Sequence, residues 1–270
     1  MRSGFKTIDC DRHVVEPVDM WEKYLDPKFQ HYNVQMGGKF TLATRIGGVL
    51  QNDDSLGSPG SGMAQDPIWR KKFKNGMTHN FEPQAYLEDM DAEGVDLAVC
   101  FTGIGLYATW GDDLDPELSA AMCQAYNNWL YDFCSVNPDR LLGAGMISPF
   151  NIDDAVTEAR RCAGELGFRA TFLRCNIMNG RTWYDPYYDP LWSTLEELGI
   201  PLGFHESSSS GARQVGDQFE PNFMLRRVYA QPVEQMLALG SFCGGGVLER
   251  HPGLNVAFLE ANCSWLPWLL

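Results

Sequence analysis

The chain has 270 residues, of which 44% are hydrophobic and 21% charged, as in an ordinary globular protein and unlike a disordered one. Its formal net charge is −14, with 35 acidic and 21 basic residues, which argues against nucleic-acid binding because phosphate backbones require clustered lysine and arginine. No run reaches the roughly 18 apolar residues that a membrane span needs. No signal peptide is recognisable, so we expect a protein that is neither secreted nor inserted in a membrane.

The eight cysteines are scattered along the chain and form no CxxC pair. Several lie inside apolar runs, as Cys100 and Cys175 do, which is typical of reduced and buried thiols. We therefore expect a cytoplasmic protein and not a secreted one that is held together by disulfides.

Short apolar or β-branched segments alternate with segments of helical periodicity along most of the chain. The predicted strands are 7–11, 95–101, 141–147, 168–173, 200–204 and 254–259. The predicted helices are 83–93, 116–136, 152–166, 190–198 and 232–250. Glycines such as Gly167 and Gly199 mark helix ends. This alternation predicts parallel strands that are joined by crossover helices.

Two architectures share that alternation, a doubly wound sheet and a closed barrel. Polar side chains capable of chemistry stand at the ends of several predicted strands, and in a barrel those ends converge on one site. A doubly wound sheet often has a glycine-rich turn after its first strand, and Asp11-Arg12-His13 is unlike such a turn. We therefore predict one α/β domain over residues 1–270, a (β/α)8 TIM-like barrel.

The connection after the first strand is long, from about residue 31 to residue 80, and it contains a Gly/Ser/Pro-rich stretch at 55–62. Connections of this length without clear secondary structure are usually functional lids or mobile insertions. Because this connection leaves the strand that carries candidate site residues, we predict a lid over the site. A plain surface loop is the alternative.

Asp11 and His13 stand two residues apart at the end of a predicted strand, so both side chains point to the same face. A carboxylate and an imidazole together suit a divalent ion such as zinc, manganese or iron. The D-x-H pattern is common without metal, and a single histidine after an apolar strand, such as His205, is more often a core residue. Two strands that present such side chains at the same end of a barrel favour a metal site.

The segment 8–17, which begins Ile-Asp-Cys-Asp-Arg-His-Val, resembles the first-strand motif of the amidohydrolase superfamily. With segment 20–25 it resembles the amidohydrolase-2 family of aminocarboxymuconate-semialdehyde decarboxylase-like hydrolases and decarboxylases. The resemblance continues through the segments 86–96, 188–192, 196–206, 246–252 and 258–261. Its blocks are spread over nearly the whole chain.

The resemblance implies a distorted barrel with one catalytic divalent metal, zinc in preference to manganese or iron, bound by Asp11, His13 and His205. It places Glu260 where the family's decarboxylases carry a catalytic histidine, so we predict Glu260 and His205 as catalytic residues. A carboxylate there can move the proton of a metal-bound water or bind a second metal ion. The structural alternative is an ion pair between Glu260 and an arginine such as Arg174.

The family's barrel also continues through two further strands, after which an aspartate completes the metal shell. Segment 265–270 reads as an apolar helix after the sixth predicted strand, so those strands are missing from this chain. An unclosed barrel would leave strand edges and apolar surface exposed to water. We therefore expect the remainder of the barrel, with the fourth metal ligand, in residues outside this chain.

Three functions remain open. The first is metal-dependent hydrolysis of an ester, thioester, amide or lactone by a metal-activated water. The second is non-oxidative decarboxylation of an aromatic or unsaturated acid, and the third is a metal-free barrel that only binds ligands. Because Glu260 stands where the family's decarboxylases carry a catalytic histidine, we predict hydrolysis.

A small-molecule substrate is expected, with neither nucleic acid nor membrane as a partner, and a homodimer is left open. Aromatic residues in loops after strands, Trp183 among them, suit planar or polyketide-like ligands, or they simply pack the barrel rim. Arg174 and Arg181 are predicted to bind a substrate carboxylate or phenolate through charge-assisted hydrogen bonds.

Overall fold

The structure, a computed structural model, describes residues 4–38, 41–51, 67–103, 109–205, 213–219 and 222–270. Its strands are β1 Ile8–His13, β2 Val34–Gly38, β3 Thr41–Ile46, β4 Val49–Leu50, β5 Leu97–Phe101, β6 Leu141–Met146, β7 Ala170–Arg174, β8 Leu202–His205 and β9 Val256–Phe258. Its α-helices are α1 Met20–Tyr24, α2 Pro67–Lys72, α3 Lys74–Thr78, α4 Pro83–Glu93, α5 Pro116–Cys134, α6 Ile152–Gly164, α7 Asp189–Leu198, α8 Phe223–Cys243, α9 Val247–Arg250 and α10 Leu266–Leu269.

Six strands form one sheet in the order β1-β5-β6-β7-β8-β9, and every neighbouring pair is parallel. Helices connect successive strands, so the sheet has the strand-helix alternation of a TIM-like barrel, and it curls as part of one. The predicted α/β barrel class is confirmed. Within the described residues, β1 and β9 each pair on one side, so the sheet is open between them.

Local sequence explains most helix ends. Pro83 and Pro116 occupy the first turns of α4 and α5, where a missing N–H does no harm. The Asp115 carboxylate accepts a hydrogen bond from the backbone N–H of Glu117 and caps α5. Gly94 ends α4 in the left-handed conformation, which glycine adopts without strain.

The helix predicted at 232–250 is different in the structure. Helix α8 begins nine residues earlier, at Phe223, and the side chain of its cap Asn222 accepts a hydrogen bond from the N–H of Leu225. Pro232 therefore lies inside the helix. The helix ends before Gly244, and α9 follows as a separate turn that begins after Gly246 at φ 75°. A proline that usually marks a helix start was therefore an internal residue here, because an asparagine cap upstream starts the helix.

The connection between β1 and β5 has more structure than predicted. It contains a three-stranded antiparallel sheet, β2-β3-β4, and the short helices α2 and α3. The hydroxyl of Tyr32 donates a hydrogen bond of 2.5 Å to Asp115, at the N-terminus of α5. Because α5 follows β5, this contact places the start of the small sheet near the carboxyl ends of the main strands. The stretch 55–62 lies outside the described residues, and the lid stays a prediction.

The core lies between the main sheet and the helices. Phe172 packs edge-on against Phe101 and Trp110, and Phe204 contacts Phe242 from α8. A Cβ atom added at Gly143 of β6 would lie 2.4 Å from the ring of Phe168, so only glycine permits this close packing. All eight cysteines lie in the described residues as free thiols, and five of them are buried. No helix in the described part of the chain is long and apolar enough to cross a membrane.

Candidate metal centre

Asp11, His13 and His205 converge at the carboxyl end of the main sheet. Asp11 and His13 belong to the end of β1, and His205 is the last residue of β8. One carboxylate oxygen and one nitrogen from each imidazole lie within 4.8 Å of one another. The rings of His13 and His205 meet edge to face, with centroids 4.9 Å apart. The three residues that the sequence singled out therefore form one cluster.

A β-bulge shapes the first strand beside this cluster. Asp9 pairs with Ala98 and Arg12 pairs with Cys100. Between these two pairs β1 therefore contains one residue more than β5. The Asp9 carboxylate accepts hydrogen bonds from the Asp11 N–H and from Arg12, which stabilise the irregular backbone. Bulges commonly re-aim side chains beside functional sites, and this one lies directly before His13.

The imidazole of His13 is held on one side by backbone. Its Nδ1 lies 2.5 Å from the carbonyl oxygen of Thr102, just after β5. Because a carbonyl can only accept, Nδ1 carries the proton, and Nε2 is left to face the cluster. A backbone carbonyl on the second nitrogen is the usual way in which proteins orient a metal-binding histidine.

The burial and hydrogen bonding of Asp11 and His205 show whether the cluster suits a metal ion. His205 is 1% exposed, and its Nε2 lies 3.4 Å from Oδ1 of Asp11. That oxygen is buried, and no donor in the described residues forms a hydrogen bond with it. A buried carboxylate oxygen without a donor is costly unless a cation binds it. One carboxylate and two imidazoles suit a divalent transition metal, so these residues fit such an ion.

Glu260 follows β9 and faces His13. Its Oε1 lies 3.4 Å from Nε2 of His13, and its Oε2 lies 3.9 Å from the Arg227 guanidinium and 3.4 Å from Nε2 of Gln231. The backbone of Glu260 has φ 59°, a left-handed conformation that costs energy for a residue other than glycine. Such strained positions cluster at functional sites.

His13 and Glu260 shift each other's pKa. Burial alone would lower the pKa of His13, but the hydrogen bond and negative charge of Glu260 and the carbonyl of Thr102 raise this pKa to about 9. Burial alone would raise the pKa of Glu260, but His13, together with the charges of His205 and Arg227, lowers it to about 2. Without a metal ion, the two groups form an imidazolium-carboxylate pair.

Helix α8 supports the site from one face. Arg227, Gln231 and Gln235 stand four residues apart, so they share a helix face. The side-chain amide of Gln235 donates to the carbonyl oxygens of Phe204 and Leu259, at 2.8 and 2.9 Å. These carbonyls belong to the residues directly before His205 and Glu260. Sequence reasoning missed this face because the predicted helix began at residue 232, although the spacing of the three side chains was visible.

Arg174 lies at the end of β7, next to His205 in the register of the sheet, but it is fully buried. Its guanidinium donates to the carbonyl oxygen of Trp110 at 2.6 Å, to Asp112 at 2.5 Å and to the carbonyl oxygen of Ile177 at 3.3 Å. These partners are all parts of the protein. They do not include Glu260, whose arginine partner is Arg227, at 3.9 Å. The structural alternative of an ion pair between Glu260 and an arginine therefore stands with Arg227 in place of Arg174.

The other two predicted substrate residues lie beyond β7. Trp183 is buried, packs against Tyr188 and donates its indole N–H to the carbonyl oxygen of Cys175. Arg181 is half-exposed, stacks over the ring of Tyr187 and pairs with Asp185. The contacts of Trp183 are those of a core residue. Substrate binding by Arg174, Trp183 and Arg181 stays a prediction.

The fold and the cluster together are those of an amidohydrolase. The amidohydrolase family model matches residues 8–269, and the chain belongs to this family. The predicted family membership is thereby confirmed.

Among its relatives is 2-amino-3-carboxymuconate-6-semialdehyde decarboxylase of Dictyostelium discoideum, 27% identical over 195 residues. That match covers 72% of this chain and 52% of the relative, so the chain spans about half of the relative's length.

Two solved structures share the fold. An amidohydrolase from Mycobacterium avium subsp. paratuberculosis K-10 superimposes with a TM-score of 0.76 at 24% identity, covering 98% of this chain and 75% of that one. The 5-carboxyvanillate decarboxylase of Novosphingobium aromaticivorans, complexed with manganese and 4-hydroxy-3-methoxy-5-nitrobenzoic acid, has a TM-score of 0.66 at 20% identity. Coverage there is 99% of this chain and 69% of the decarboxylase.

Proposed function

We propose that this chain forms the metal-binding part of a metal-dependent decarboxylase that acts on an aromatic or unsaturated acid. The observation that carries the proposal is the cluster of Asp11, His13 and His205, with ligand atoms within 4.8 Å and the carboxylate of Glu260 3.4 Å from His13. A metal-free binding protein would have no need for a buried carboxylate oxygen that lacks a hydrogen-bond donor.

Each residue has a separate task in this proposal. Asp11, His13 and His205 hold a divalent ion, which when bound supplies positive charge to anchor the oxygens of an acid substrate. Thr102 keeps the His13 ring aimed through Nδ1. Arg227, 3.9 Å from Glu260, adds positive charge that favours an anionic substrate.

Decarboxylation needs a proton at one carbon atom. The carbon-carbon bond to the carboxylate breaks, carbon dioxide leaves, and the ring or alkene carbon takes up one proton. Glu260 is the described titratable group beside the cluster that can pass this proton on.

The relatives support decarboxylation more than the hydrolysis that the sequence favoured, because the Dictyostelium discoideum relative is itself a decarboxylase. Hydrolysis remains the second candidate for one reason: a carboxylate next to a metal site is also suited to take a proton from water. Among the candidate ions zinc, manganese and iron, manganese gains support, since the 5-carboxyvanillate decarboxylase structure contains manganese. A second ion near Glu260, a cytoplasmic location and a barrel completed by further residues stay predictions.

The test measures both reactions on one metal-loaded preparation. The purified protein is given hydroxylated benzoic acids and unsaturated diacids, and released carbon dioxide is measured. Aryl esters and lactones are assayed for hydrolysis in parallel. Carbon dioxide release that is lost on chelation and restored by manganese or zinc supports the proposal. Ester or lactone cleavage without carbon dioxide release would replace decarboxylation with hydrolysis.

A further inference from the structure

Glu16 is a buried carboxylate that the proposed chemistry does not use. It follows His13 by three residues and is 3% exposed. Its Oε1 accepts hydrogen bonds from the backbone N–H of Gly103 at 2.7 Å and from the Thr102 hydroxyl at 2.8 Å. No lysine or arginine in the described part of the chain forms an ion pair with it. Burying a carboxylate without a cation is costly, so its position calls for an explanation.

The two hydrogen-bonded backbone atoms belong to one peptide group. The carbonyl of Thr102 and the N–H of Gly103 lie on the same planar unit, and in a trans peptide they point in opposite directions. Glu16 binds the N–H end, and Nδ1 of His13 binds the carbonyl end at 2.5 Å. Fixing one end of a rigid plane fixes the direction of the other end.

We propose that Glu16 is a positioning residue for His13 and acts through the 102–103 peptide group. The carboxylate sets the orientation of that plane and therefore the direction in which the Thr102 carbonyl meets the imidazole. A carboxylate on the N–H also polarises the amide, which makes its carbonyl a stronger acceptor. His13 is thereby kept in the tautomer with the proton on Nδ1, with Nε2 aimed at Asp11 and His205.

In this arrangement one peptide group lies between the carboxylate and the metal-binding histidine, which in many proteins are in direct contact. Metal-binding histidines often donate their second N–H to a carboxylate, and loss of that partner typically costs roughly 10- to 100-fold in metal affinity or activity. Here the carboxylate acts from the far side of an amide. The inference rests on the proposed function only in that His13 binds a metal ion.

The experiment compares Glu16→Gln with Glu158→Gln. Glu158 is also a buried carboxylate, but it bonds to Asn127 and Arg161 away from the cluster, so this variant controls for the loss of a buried charge. Dissociation constants for Mn²⁺ and Co²⁺ are measured by calorimetry, and the visible spectrum of bound Co²⁺ reports the ligand geometry. We expect Glu16→Gln to weaken metal binding by roughly tenfold or more and to change that spectrum. Glu158→Gln should lower thermal stability and leave both metal readouts as in wild type.

Two further variants locate the link. Thr102→Val removes the hydroxyl but keeps the peptide group, so metal binding should stay closer to wild type than in Glu16→Gln. Glu16→Asp keeps the charge but is one methylene shorter, and it should weaken metal binding. It carries the test if Glu16→Gln fails to fold. Equal losses in Thr102→Val and Glu16→Gln would overturn the peptide link, as would wild-type affinity and spectrum in Glu16→Gln.

The metal-free protein separates this inference from the proposed function. The Nδ1 proton of His13 should give a downfield NMR signal that is present in wild type and in Glu158→Gln and is shifted or lost in Glu16→Gln. A wild-type protein that binds no metal would contradict the proposed function, and the NMR comparison would still decide the role of Glu16. An unchanged signal in Glu16→Gln would overturn that role.

Discussion

Nε2 of His13 and Oε1 of Glu260 face each other at 3.4 Å across the open end of the sheet. Since Nδ1 of His13 is bound to the Thr102 carbonyl, Nε2 is the atom of this ring that can meet either Glu260 or a metal ion. A proton shared with Glu260 and a bound metal therefore exclude each other at this nitrogen. The pair links metal binding to pH.

Metal uptake should release a proton from His13. The pKa of His13 is raised to about 9 in the metal-free protein, so below that pH a metal ion must displace the proton on Nε2. Affinity should rise about tenfold per pH unit up to this pKa and then level off, since one proton leaves per ion. Calorimetry in buffers of different ionisation enthalpy counts the proton. In Glu260→Gln the dependence should move to lower pH, and an absence of proton release near neutral pH would contradict the pairing.

His205→Ala should abolish stoichiometric metal binding. The buried imidazole is one of the three candidate ligands, and alanine supplies no donor. Metal content is measured after dialysis, with His79→Ala as the control because His79 is an exposed histidine at the end of α3. A His205→Ala protein that keeps metal and full activity would place the metal centre elsewhere.

Glu260→Gln should keep its metal and lose about 10²- to 10⁴-fold in kcat, which is what a positioned acid-base group typically contributes. The amide preserves the size of the side chain but cannot take up a proton. If Glu260 binds an ion instead, metal content should fall and excess ion should restore part of the rate. If it only pairs with Arg227, melting temperature should fall more than kcat, so all three quantities are measured on one preparation.

Glu16 should make the metal-free protein less stable as pH rises. Burial raises the pKa of Glu16 from 4.5 to about 7, against the opposing hydrogen bonds from Gly103 and Thr102. Between these values the folded state binds more protons than the unfolded state, so the free energy of unfolding falls as pH rises through this window. The loss is at most about 3 kcal/mol, from 1.36 kcal/mol per pKa unit. Urea unfolding of wild type and Glu16→Gln below and above the window tests this, and parallel curves would refute it.

Arg174→Lys should lower the free energy of unfolding by roughly 1.5–3 kcal/mol, the usual worth of a hydrogen bond to a charged group. Lysine cannot reproduce the planar set of bonds that the guanidinium makes to Trp110, Asp112 and Ile177. The half-exposed Arg181 provides the control, Arg181→Lys. A large rise in KM with unchanged stability would assign Arg174 to substrate instead.

Sequence reasoning succeeded where the signal is local. Apolar runs and helix ends gave the strand-helix alternation, and the D-x-H motif with the histidine after segment 200–204 gave the cluster of Asp11, His13 and His205. The contacts that support those residues are not local. Glu16 accepts a hydrogen bond from Gly103, which is 87 residues away, and no hydrophobic periodicity in the sequence predicts such a contact.

Strand-end position was a weaker guide for Arg174. A polar side chain that follows a strand can face the site or turn into the surrounding packing, and only the neighbouring loops decide between the two. Here Trp110 and Asp112, from the loop before α5, surround the guanidinium. The carbonyl of Trp110 and the carboxylate of Asp112 could not be placed there from the sequence.

The side-chain amide of Gln235 donates hydrogen bonds to the backbone at the ends of two strands, through the carbonyl oxygens of Phe204 and Leu259. The spacing between His205 and Glu260 is therefore set by one side chain on a helix as well as by the ladder between β8 and β9. A protein engineer who wishes to widen this site for bulkier molecules has an obvious place to begin. Exchanging Gln235 for a shorter or longer donor would act as an adjustable spacer, leaving every residue at the metal centre itself untouched.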